Sequence, residues 1–341
     1  MKTSLAHQLT RSQNTPLIFV VRVILLPLYL LYLLVVTTRN ALYDAGLVST
    51  TKVDVPVTSI GNLTVGGTGK TPLVIALAQR AVAAGKRVAI VARGYGAVAD
   101  AAGNTDEVAL MAARVPQAEV VMSPNKTVGA REAASRGVDL ILVDDGFQHR
   151  RLERDLDVLV VDATAPISNG YVVPMGGLRE PPSGIGRADV MVLTHHESLT
   201  PEDIEGVVAS LSAYRRDIPI VRATHTPIGV RPVAGGELRP VESLAGQDVF
   251  LFCGIASPAG FRRTVEGLGA HVTGGAGFAD HHDFTASSIA EVRAEARTAL
   301  LVCTEKDAAK VAAIPGTEDV LCVVIDMVLD DELPPIPGLD G

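Results

Sequence analysis

One short segment, residues 64–71, constrains this chain more than any other. It reads TVGGTGKT, follows an apolar run that is typical of a strand and precedes a run of helical character. Glycines allow the backbone to turn its N–H groups inward on an anion, and the start of a helix adds the positive end of a dipole. The segment therefore predicts a phosphate-binding loop of the GxxxxGKS/T type between a strand and a helix.

The residue types in this loop suit ATP together with Mg²⁺. Lys70 is predicted to reach the β- and γ-phosphates, and Thr71 is predicted to offer its hydroxyl to Mg²⁺. Thr64 stands where the pattern has its first glycine, and Val65 stands where partition-type ATPases carry a signature lysine, which disfavours that subfamily. A tight turn without a ligand is the alternative. The predicted ATP-binding residues are Thr64, Val65, Gly66, Gly67, Thr68, Gly69, Lys70 and Thr71.

Beyond residue 54, short apolar runs alternate with helical patterns, as expected for a P-loop NTPase-like parallel sheet with helices on both faces. The 341 residues suffice for about two domains. The predicted strands cover residues 55–60, 87–92, 139–143, 157–161, 190–193, 218–222, 249–253 and 299–303, and later helices cover residues 258–268 and 286–296.

A stretch dotted with proline and glycine, residues 226–246, predicts a linker between two α/β runs. We therefore expect three parts. These are an N-terminal membrane-associated helix in residues 1–45, a P-loop kinase core domain in residues 46–224 and a smaller C-terminal α/β domain in residues 225–341.

The apolar stretch at residues 17–36 is interrupted only by Arg22 and Pro27. A helix of about 20 residues reaches across the hydrocarbon core of a bilayer. A transmembrane anchor, an interfacial helix, an uncleaved signal-like core and a buried core helix all remain open, and we favour membrane association. Residues 1–43 carry four basic side chains and no acidic one, whereas the whole chain has a formal charge of -8.

Overall charge and cysteine spacing argue against a nucleic-acid-binding protein, a CxxC metal site and a disulfide-stabilised fold. An acidic chain is a poor ligand for nucleic acid, which is bound by clustered lysine and arginine. Cys253, Cys303 and Cys322 lie too far apart in sequence for a CxxC metal site, and three cysteines do not form a disulfide framework. A reducing cytosol is the simplest compartment.

A second apolar run, residues 141–143, ends in Asp144 and Asp145 and continues as GFQH. Carboxylates at the carboxyl end of a strand beside a phosphate loop are placed to hold Mg²⁺ or its water shell. A turn capped by Asp-Gly is the structural alternative. The sequence predicts that Asp144 and Asp145 contact the metal.

Several further stretches together resemble the tetraacyldisaccharide 4'-kinases, the lipid A 4'-kinases of Gram-negative bacteria. The resemblance covers nearly the whole chain. The matching stretches are GNLTVGGTGKTP at 61–72, RGYG at 93–96, DDGFQHR at 144–150, RDLD at 154–157, GLREP at 177–181, DHH at 280–282 and TEKD at 304–307.

The resemblance implies transfer of the ATP γ-phosphate to the 4'-hydroxyl of a tetraacyldisaccharide 1-phosphate, giving lipid IV(A). It further implies that the enzyme works at the cytoplasmic face of the inner membrane, with a lipid substrate and the membrane surface as partners and with no nucleic acid. No obligate protein partner is expected.

The same resemblance assigns roles to residues. It implies that Asp106 and His281 activate the sugar hydroxyl, beside the catalytic side chains of Lys70 and Arg179. Asp145 and Glu180 are implied to contact Mg²⁺, with Asp144 and Gln148 in the same cluster. Lys126 is implied to contact phosphate, but it stands where the family has arginine and lacks that side chain's bidentate fork. Asp106 lies in TDEV where GDEP is usual.

Two other functions remain as alternatives. A P-loop nucleotide-switch GTPase or ATPase would need a guanine-reading NKxD motif, and the TEKD at 304–307 has its lysine shifted by one position. A soluble small-molecule kinase would bury the apolar N-terminal helix. His281 and His282 could instead bind a metal, but no cysteine or helically spaced histidine completes a zinc set.

Overall fold

The computed structural model describes residues 15–93, 106–255, 257–279 and 282–340, and these form two compact units. Of the described residues, unit 1 contains 15–93, 117–224 and 329–340. Unit 2 contains residues 106–116, 225–255, 257–279 and 282–328.

The elements alternate between strand and helix along most of the chain. The helices are α1 (Pro16–Asp44), α2 (Lys70–Ala83), α3 (Asp106–Arg114), α4 (Lys126–Ser135), α5 (Pro201–Ser212), α6 (Pro258–Gly267), α7 (Ala286–Ala296) and α8 (Glu305–Ala312). The strands are β1 (Val57–Gly61), β2 (Val88–Ala92), β3 (Glu119–Met122), β4 (Leu140–Asp144), β5 (Leu156–Asp162), β6 (Val190–Thr194), β7 (Ile220–Pro232), β8 (Asp248–Cys253), β9 (His271–Gly277), β10 (Leu300–Thr304) and β11 (Leu321–Leu329). Short 3₁₀ turns cover Pro182–Arg187, His196–Ser198 and Val241–Leu244.

The strands of unit 1 run in the order β3-β2-β4-β1-β5-β6-β7, and the described pairs are parallel. β1, β2, β4 and β6 are buried along their whole length. This burial explains why β2, β4 and β6 read as nearly continuous apolar runs rather than as alternating patterns, whereas β1 buries Thr58 and Ser59 as well. Ile60 of β1 lies opposite Asp144 of β4 and Val158 of β5. Because the strands are parallel, the residues that follow them collect at one edge of the sheet.

Unit 2 has a second parallel arrangement, in the order β11-β10-β8-β9. One core cluster, around Phe252, packs β8 and β10 against α7 and α8, and another, around Phe261, packs β8 against α6. α3 also packs against α8. All three cysteines are buried free thiols.

The expected fold class, a P-loop-like parallel α/β sheet with a smaller α/β unit, is confirmed. The expected boundaries differ from the two units in three segments. Residues 15–45, expected as a separate part, belong to unit 1. Residues 106–116 belong to unit 2 because α3 packs on α8. Residues 329–340 belong to unit 1, where Ile336 and Leu339 are buried and Asp340 pairs with Arg80 at 2.5 Å.

The predicted linker at residues 226–246 is partly wrong, because β7 continues to Pro232. Val230 and Arg239 exchange backbone hydrogen bonds of 2.9 and 2.8 Å, which folds the proline- and glycine-rich stretch back on itself. Val230 is fully buried in the core of unit 2. Long-range pairing and burial therefore override the local turn signals.

α1 is longer than the predicted stretch at residues 17–36. Its 29 residues include an 18-residue window of mean hydropathy 2.6 of which only 6% is buried, so length and composition allow it to cross a membrane. Thr15 caps its first turn and Pro27 lies inside it. Tyr29, Tyr32 and Leu33 pack against the core of unit 1.

Candidate active site

The loop at residues 64–71 leads from β1 into α2, as the sequence predicts. Gly69 precedes α2 with φ of +87°, and Gly66 has φ of +113°, both in the region that glycine adopts without a Cβ clash. No side chain among the residues that the structure describes caps the first turn of α2. The start of this helix therefore offers backbone N–H groups and the positive end of its dipole to an anion.

Hydrogen bonds on several sides hold this loop in shape. The buried Asn62 amide donates to the Thr68 hydroxyl at 3.1 Å, and the Thr194 hydroxyl at the end of β6 donates to the Thr68 carbonyl at 2.9 Å. The Val65 N–H donates to the Gly177 carbonyl at 2.7 Å. Because these contacts already exist, phosphate would meet a loop that is largely preorganised.

Lys70, Asp145 and Arg179 meet beside the loop. Lys70 Nζ lies 3.7 Å from Asp145 Oδ1, and Arg179 donates to both oxygens of Asp145 at 2.8 and 2.7 Å. Burial alone would raise the pKa of Asp145, but the charges of Lys70 and Arg179 outweigh it and hold this pKa below its ordinary value. Asp145 follows β4 with a φ of +52°, which is unusual for a residue with a Cβ and turns the chain there. The structure thus brings together two cations and one ionised carboxylate.

The predicted metal ligands do not form one cluster. Among the described residues, no group of three or more His, Cys, Asp or Glu side chains is arranged to hold an ion. Mg²⁺ needs few protein ligands, since it commonly keeps several waters and uses one or two carboxylates with substrate phosphates.

The oxygen donors present fit such an ion. Asp144 is buried at the end of β4, and Thr71 lies in the first turn of α2. The oxygens Asn62 Oδ1 and Gln148 Oε1 are buried without a hydrogen-bond donor in the described part of the chain. These all-oxygen donors suit a hard cation. The metal roles of Thr71, Asp144, Asp145 and Glu180 stay predictions.

Glu180 is buried and hydrogen-bonded rather than open to a metal ion. It is 0% exposed, and its oxygens accept hydrogen bonds from Gln148 Nε2 at 3.0 Å, Arg187 at 2.8 Å and Asn40 Nδ2 at 2.7 Å. Gln148 Nε2 also donates to the Asn62 carbonyl at 2.8 Å. Glu180 is therefore hydrogen-bonded to three segments of unit 1, namely α1, the segment that follows β4 and the 3₁₀ turn at Pro182–Arg187.

A glycine allows the segment that carries Gln148 to approach β1. A Cβ at Gly61 would lie 2.5 Å from the Cβ of Phe147, and real Cβ atoms essentially never come that close. Phe147 itself is fully buried. The backbone of residues 147–148 is therefore set directly against the strand that leads into the phosphate loop.

Lys126 begins α4 and is buried, with its Nζ donating to the Val91 carbonyl at 3.2 Å. Its charge contributes to the low pKa of Asp145. Burial, with Lys126 and Arg154 as the next causes, lowers the pKa of His149 to about 4, so that this imidazole is neutral at physiological pH. The predicted phosphate contact of Lys126 stays a prediction.

Of the other predicted catalytic pair, Asp106 and His281, the structure describes Asp106, which belongs to unit 2. Asp106 is the first residue of α3, and Lys310 Nζ lies 2.6 Å from its Oδ2. Lys310 also donates to the His282 carbonyl at 3.1 Å. His281 lies outside the described residues, as does Asp280. The roles of Asp106 and His281 therefore stay predictions.

The TEKD stretch at residues 304–307 forms the start of α8. Thr304 caps α8, its hydroxyl donates to Asp307 at 2.6 Å, and the Gly254 N–H donates to the same carboxylate at 3.0 Å. Burial raises the pKa of Asp307. These contacts explain the stretch as a helix start within unit 2 and give no support to a guanine-reading motif.

Sequence reasoning missed several residues of the site. Asn62 could have been noticed, since it lies just before the phosphate loop. The roles of Asn40 and Arg187 could not be predicted from neighbouring residues. Asn40, for example, contacts Glu180 across 140 positions of sequence. His149 lies in the matched DDGFQHR stretch, but the sequence assigns it no role.

The loop, the cation pair and the strand-end acids define the class of the protein. A strand, a glycine-rich loop ending in Lys-Thr and a helix form a phosphate cradle, and Asp144 lies at the end of the neighbouring strand. This combination is that of a P-loop nucleotide-binding enzyme.

Comparisons with known proteins give the family. The family model described as tetraacyldisaccharide-1-P 4'-kinase matches residues 21–334, and the chain belongs to this family. A tetraacyldisaccharide 4'-kinase of Anaeromyxobacter dehalogenans is 43% identical over 290 residues, which cover 80% of this chain and 76% of that protein. One of Geobacter metallireducens is 36% identical over 329 residues, covering 91% of this chain and 94% of that protein.

A solved structure agrees with this assignment. The crystal structure of LpxK from Aquifex aeolicus in complex with ATP is 30% identical, with a TM-score of 0.72, and the match covers 92% of this chain and 96% of that one. The predicted resemblance is confirmed, and the protein is an ATP-dependent kinase. The nucleotide-switch alternative has no comparable support.

Proposed function

We propose that this protein transfers the γ-phosphate of ATP to the 4'-hydroxyl of a tetraacyldisaccharide 1-phosphate, giving lipid IV(A) and ADP. The observation that carries the proposal is the meeting of Lys70, Asp145 and Arg179 at the phosphate loop, in a chain of this kinase family. Two cations beside a preformed loop suit a reaction in which negative charge is transferred.

In the proposed reaction, the sugar oxygen forms a bond to the γ-phosphorus while the bond to the β–γ bridging oxygen breaks. Lys70 and the loop amides hold the phosphoryl charge, and Asp145 keeps Lys70 and Arg179 oriented. Mg²⁺, when bound, neutralises phosphate charge, and Thr71 and Asp144 are the residues that would hold it. The hydroxyl proton must pass to a base, for which the resemblance proposes Asp106 with His281.

The assay incubates the full chain with labelled ATP, Mg²⁺ and the tetraacyldisaccharide 1-phosphate in mixed micelles. We expect label in the lipid, and roughly a hundredfold lower kcat for Lys70→Ala. Lys52→Ala serves as the matched control, because Lys52 is an exposed lysine paired with Glu153, and it should stay within about threefold of wild type. If Mg·ATP binds normally and no label enters the lipid, the proposed acceptor is wrong.

The proton-transfer roles have a separate kinetic test. If Asp106 and His281 act as one unit, Asp106→Ala and His281→Ala should be non-additive, so that the double variant loses little more than the worse single variant. Additive losses would assign the two residues separate roles. Near-normal turnover in both single variants would remove them from the mechanism.

We infer that α1 associates with the membrane, on the cytoplasmic side where ATP is available. Its outward side chains support this, since Ile24, Leu31 and Leu34 are 71%, 58% and 63% exposed. Apolar side chains on one long helix are favourably buried in a bilayer. A lipid acceptor also makes the location useful, because enzyme and substrate then meet on one surface.

Charged substitutions on the outward face test this location without removing the helix. The double variant Leu31→Glu, Leu34→Glu should stop co-sedimenting with phospholipid vesicles while still binding ATP. Leu47→Glu is the matched control, since Leu47 is a leucine that is 74% exposed and follows α1. If the double variant sediments like the control, α1 is not the membrane contact.

A further inference from the structure

The C-terminal half of α1 is tied to the candidate active site by polar side chains. The Tyr32 hydroxyl donates to the Arg179 carbonyl at 2.7 Å, and Arg39 donates to the Gln148 carbonyl at 2.9 Å. The Asn40 amide donates to Glu180 Oε2 at 2.7 Å. Positions seven and eight residues apart lie on one face of a helix, so these contacts define a site-facing side of α1, which carries Tyr32, Arg39 and Asn40.

Glu180 is the point where these contacts converge. A fully buried carboxylate is tolerated only when donors surround it. Among the described residues, Asn40, Gln148 and Arg187 donate to Glu180 at distances of up to 3.0 Å. Arg187 brings the opposite charge. The amide of Asn40 is thus part of what stabilises a buried anion.

From Glu180 the contacts continue to the phosphate loop. Gln148 donates both to Glu180 and to the Asn62 carbonyl, and Asn62 in turn donates to Thr68. Backbone contacts run parallel to this route, since the Arg179 N–H donates to the Leu63 carbonyl at 2.7 Å. Three hydrogen bonds therefore lead from Asn40 to the backbone that enters the loop.

We propose that Asn40 is a positioning residue of the kinase. Its amide fixes Glu180, and Glu180 holds Gln148 and the segment of Arg179 against the phosphate loop, so that the seating of α1 sets the rate of phosphotransfer. The kinetic part rests on the proposed function. A deletion of residues 1–40 would remove Tyr32, Arg39 and Asn40 together with the apolar surface, and would therefore change the site as well as membrane binding.

The first test compares Asn40→Leu with Thr37→Val in the full chain. Leucine keeps the approximate size of asparagine but leaves Glu180 without this donor. Within the described part of the chain, Thr37 donates only to carbonyls of its own helix, at 2.6 and 3.1 Å, so its replacement is the matched control. We expect kcat to fall roughly ten- to a hundredfold for Asn40→Leu with the ATP dissociation constant within about threefold of wild type, and the control to be unchanged. Wild-type kcat for Asn40→Leu would overturn the proposal.

Hydrogen–deuterium exchange separates this proposal from the question of the acceptor. Peptides that cover residues 177–187 contain the Arg179 amide, and we expect them to exchange faster in Asn40→Leu than in wild type or Thr37→Val. If wild type fails to label the lipid, the proposed function fails, but faster exchange would still support the positioning role. Unchanged exchange in Asn40→Leu refutes it whatever the acceptor is.

Discussion

Replacing Asp145 by asparagine keeps its shape and removes its charge, and the structure sets the size of the effect. Asp145 lies 3.7 Å from Lys70 Nζ and accepts two hydrogen bonds from Arg179. A charge pair about 4 Å apart is worth about 4 kcal/mol at an effective dielectric constant of about 20, before desolvation is subtracted. With that offset, we expect Asp145→Asn to lower the free energy of unfolding by roughly 1–3 kcal/mol.

The kinetic effect should exceed the effect on ATP binding. Without its carboxylate partner, Lys70 and Arg179 are no longer held where the transferred charge develops, and we expect kcat to fall roughly a hundredfold, which is about 2.7 kcal/mol. The loop amides remain, so KM for ATP should rise by less than about fivefold. Initial rates of lipid labelling at saturating ATP measure both values.

Asp319→Asn is the matched control, because Asp319 also forms a two-pronged pair with an arginine, Arg293, but on the exposed surface of unit 2. It should stay within about threefold of wild type. Near-normal kcat for Asp145→Asn in a folded protein would refute the reasoning. The reasoning would also be refuted if the difference in unfolding free energy between wild type and Asp145→Asn did not disappear at low pH. The pKa of Asp145 is lowered below its ordinary 3.8 in the folded state, so the difference should be full above about pH 4 and vanish as pH falls through the folded value.

Two further predictions concern stability. The fold lowers the pKa of His149 from 6.5 to about 4. Between these pH values the unfolded chain binds a proton that the folded chain does not, so wild type should lose stability as pH falls through this range. His149→Gln should remove that part of the pH dependence in urea unfolding, and an equal pH dependence in both proteins would contradict the prediction. Lys310→Met removes the ammonium beside Asp106, in a pair whose side chains are only 15% and 11% exposed, and should cost roughly 1–3 kcal/mol in urea unfolding. Lys52→Met, in a pair that is 69% and 47% exposed, should cost less than about 0.5 kcal/mol; equal costs would show that burial does not decide the effect.

The sequence predicts the regular elements best where the signal is local and repeated. The buried strands β1, β2, β4, β5 and β6 lie within two residues of their predicted limits, and α7 matches residues 286–296. Most of these strands are short apolar runs and α7 is a capped helix, and such patterns can be recognised from neighbouring residues alone. The phosphate loop belongs to the same group, because strand, glycines and helix start are adjacent in sequence.

Two departures from the predicted elements, at β9 and in β7, depend on distant contacts. β9 contains consecutive glycines, and only its pairing with β8 makes it a strand, since Gly274 and Gly275 lie opposite Phe250 and Leu251. β7 continues through Pro227 for a similar reason, as its later residues are buried in the core of unit 2.

The sequence predicts which residue types the site contains, but it does not predict which of them contact each other. Asp145 and Arg179 could each be named from a motif, but their mutual pairing, across 34 positions, could not. Glu180 is predicted to contact Mg²⁺, and its burial among donors from three segments could not be foreseen from the sequence. A charged residue in a motif indicates that a site is near, and burial decides what the side chain contacts.

The close approach at Gly61 has a consequence for how this protein can change. Because a Cβ there would overlap Phe147, a library randomised at position 61 should yield active clones that encode almost only glycine. Val65, in the loop itself, is 46% exposed, and its side chain should tolerate many replacements. The least permissive position would then be one that carries no side chain and touches no substrate, and an engineer should leave Gly61 fixed when redesigning the loop.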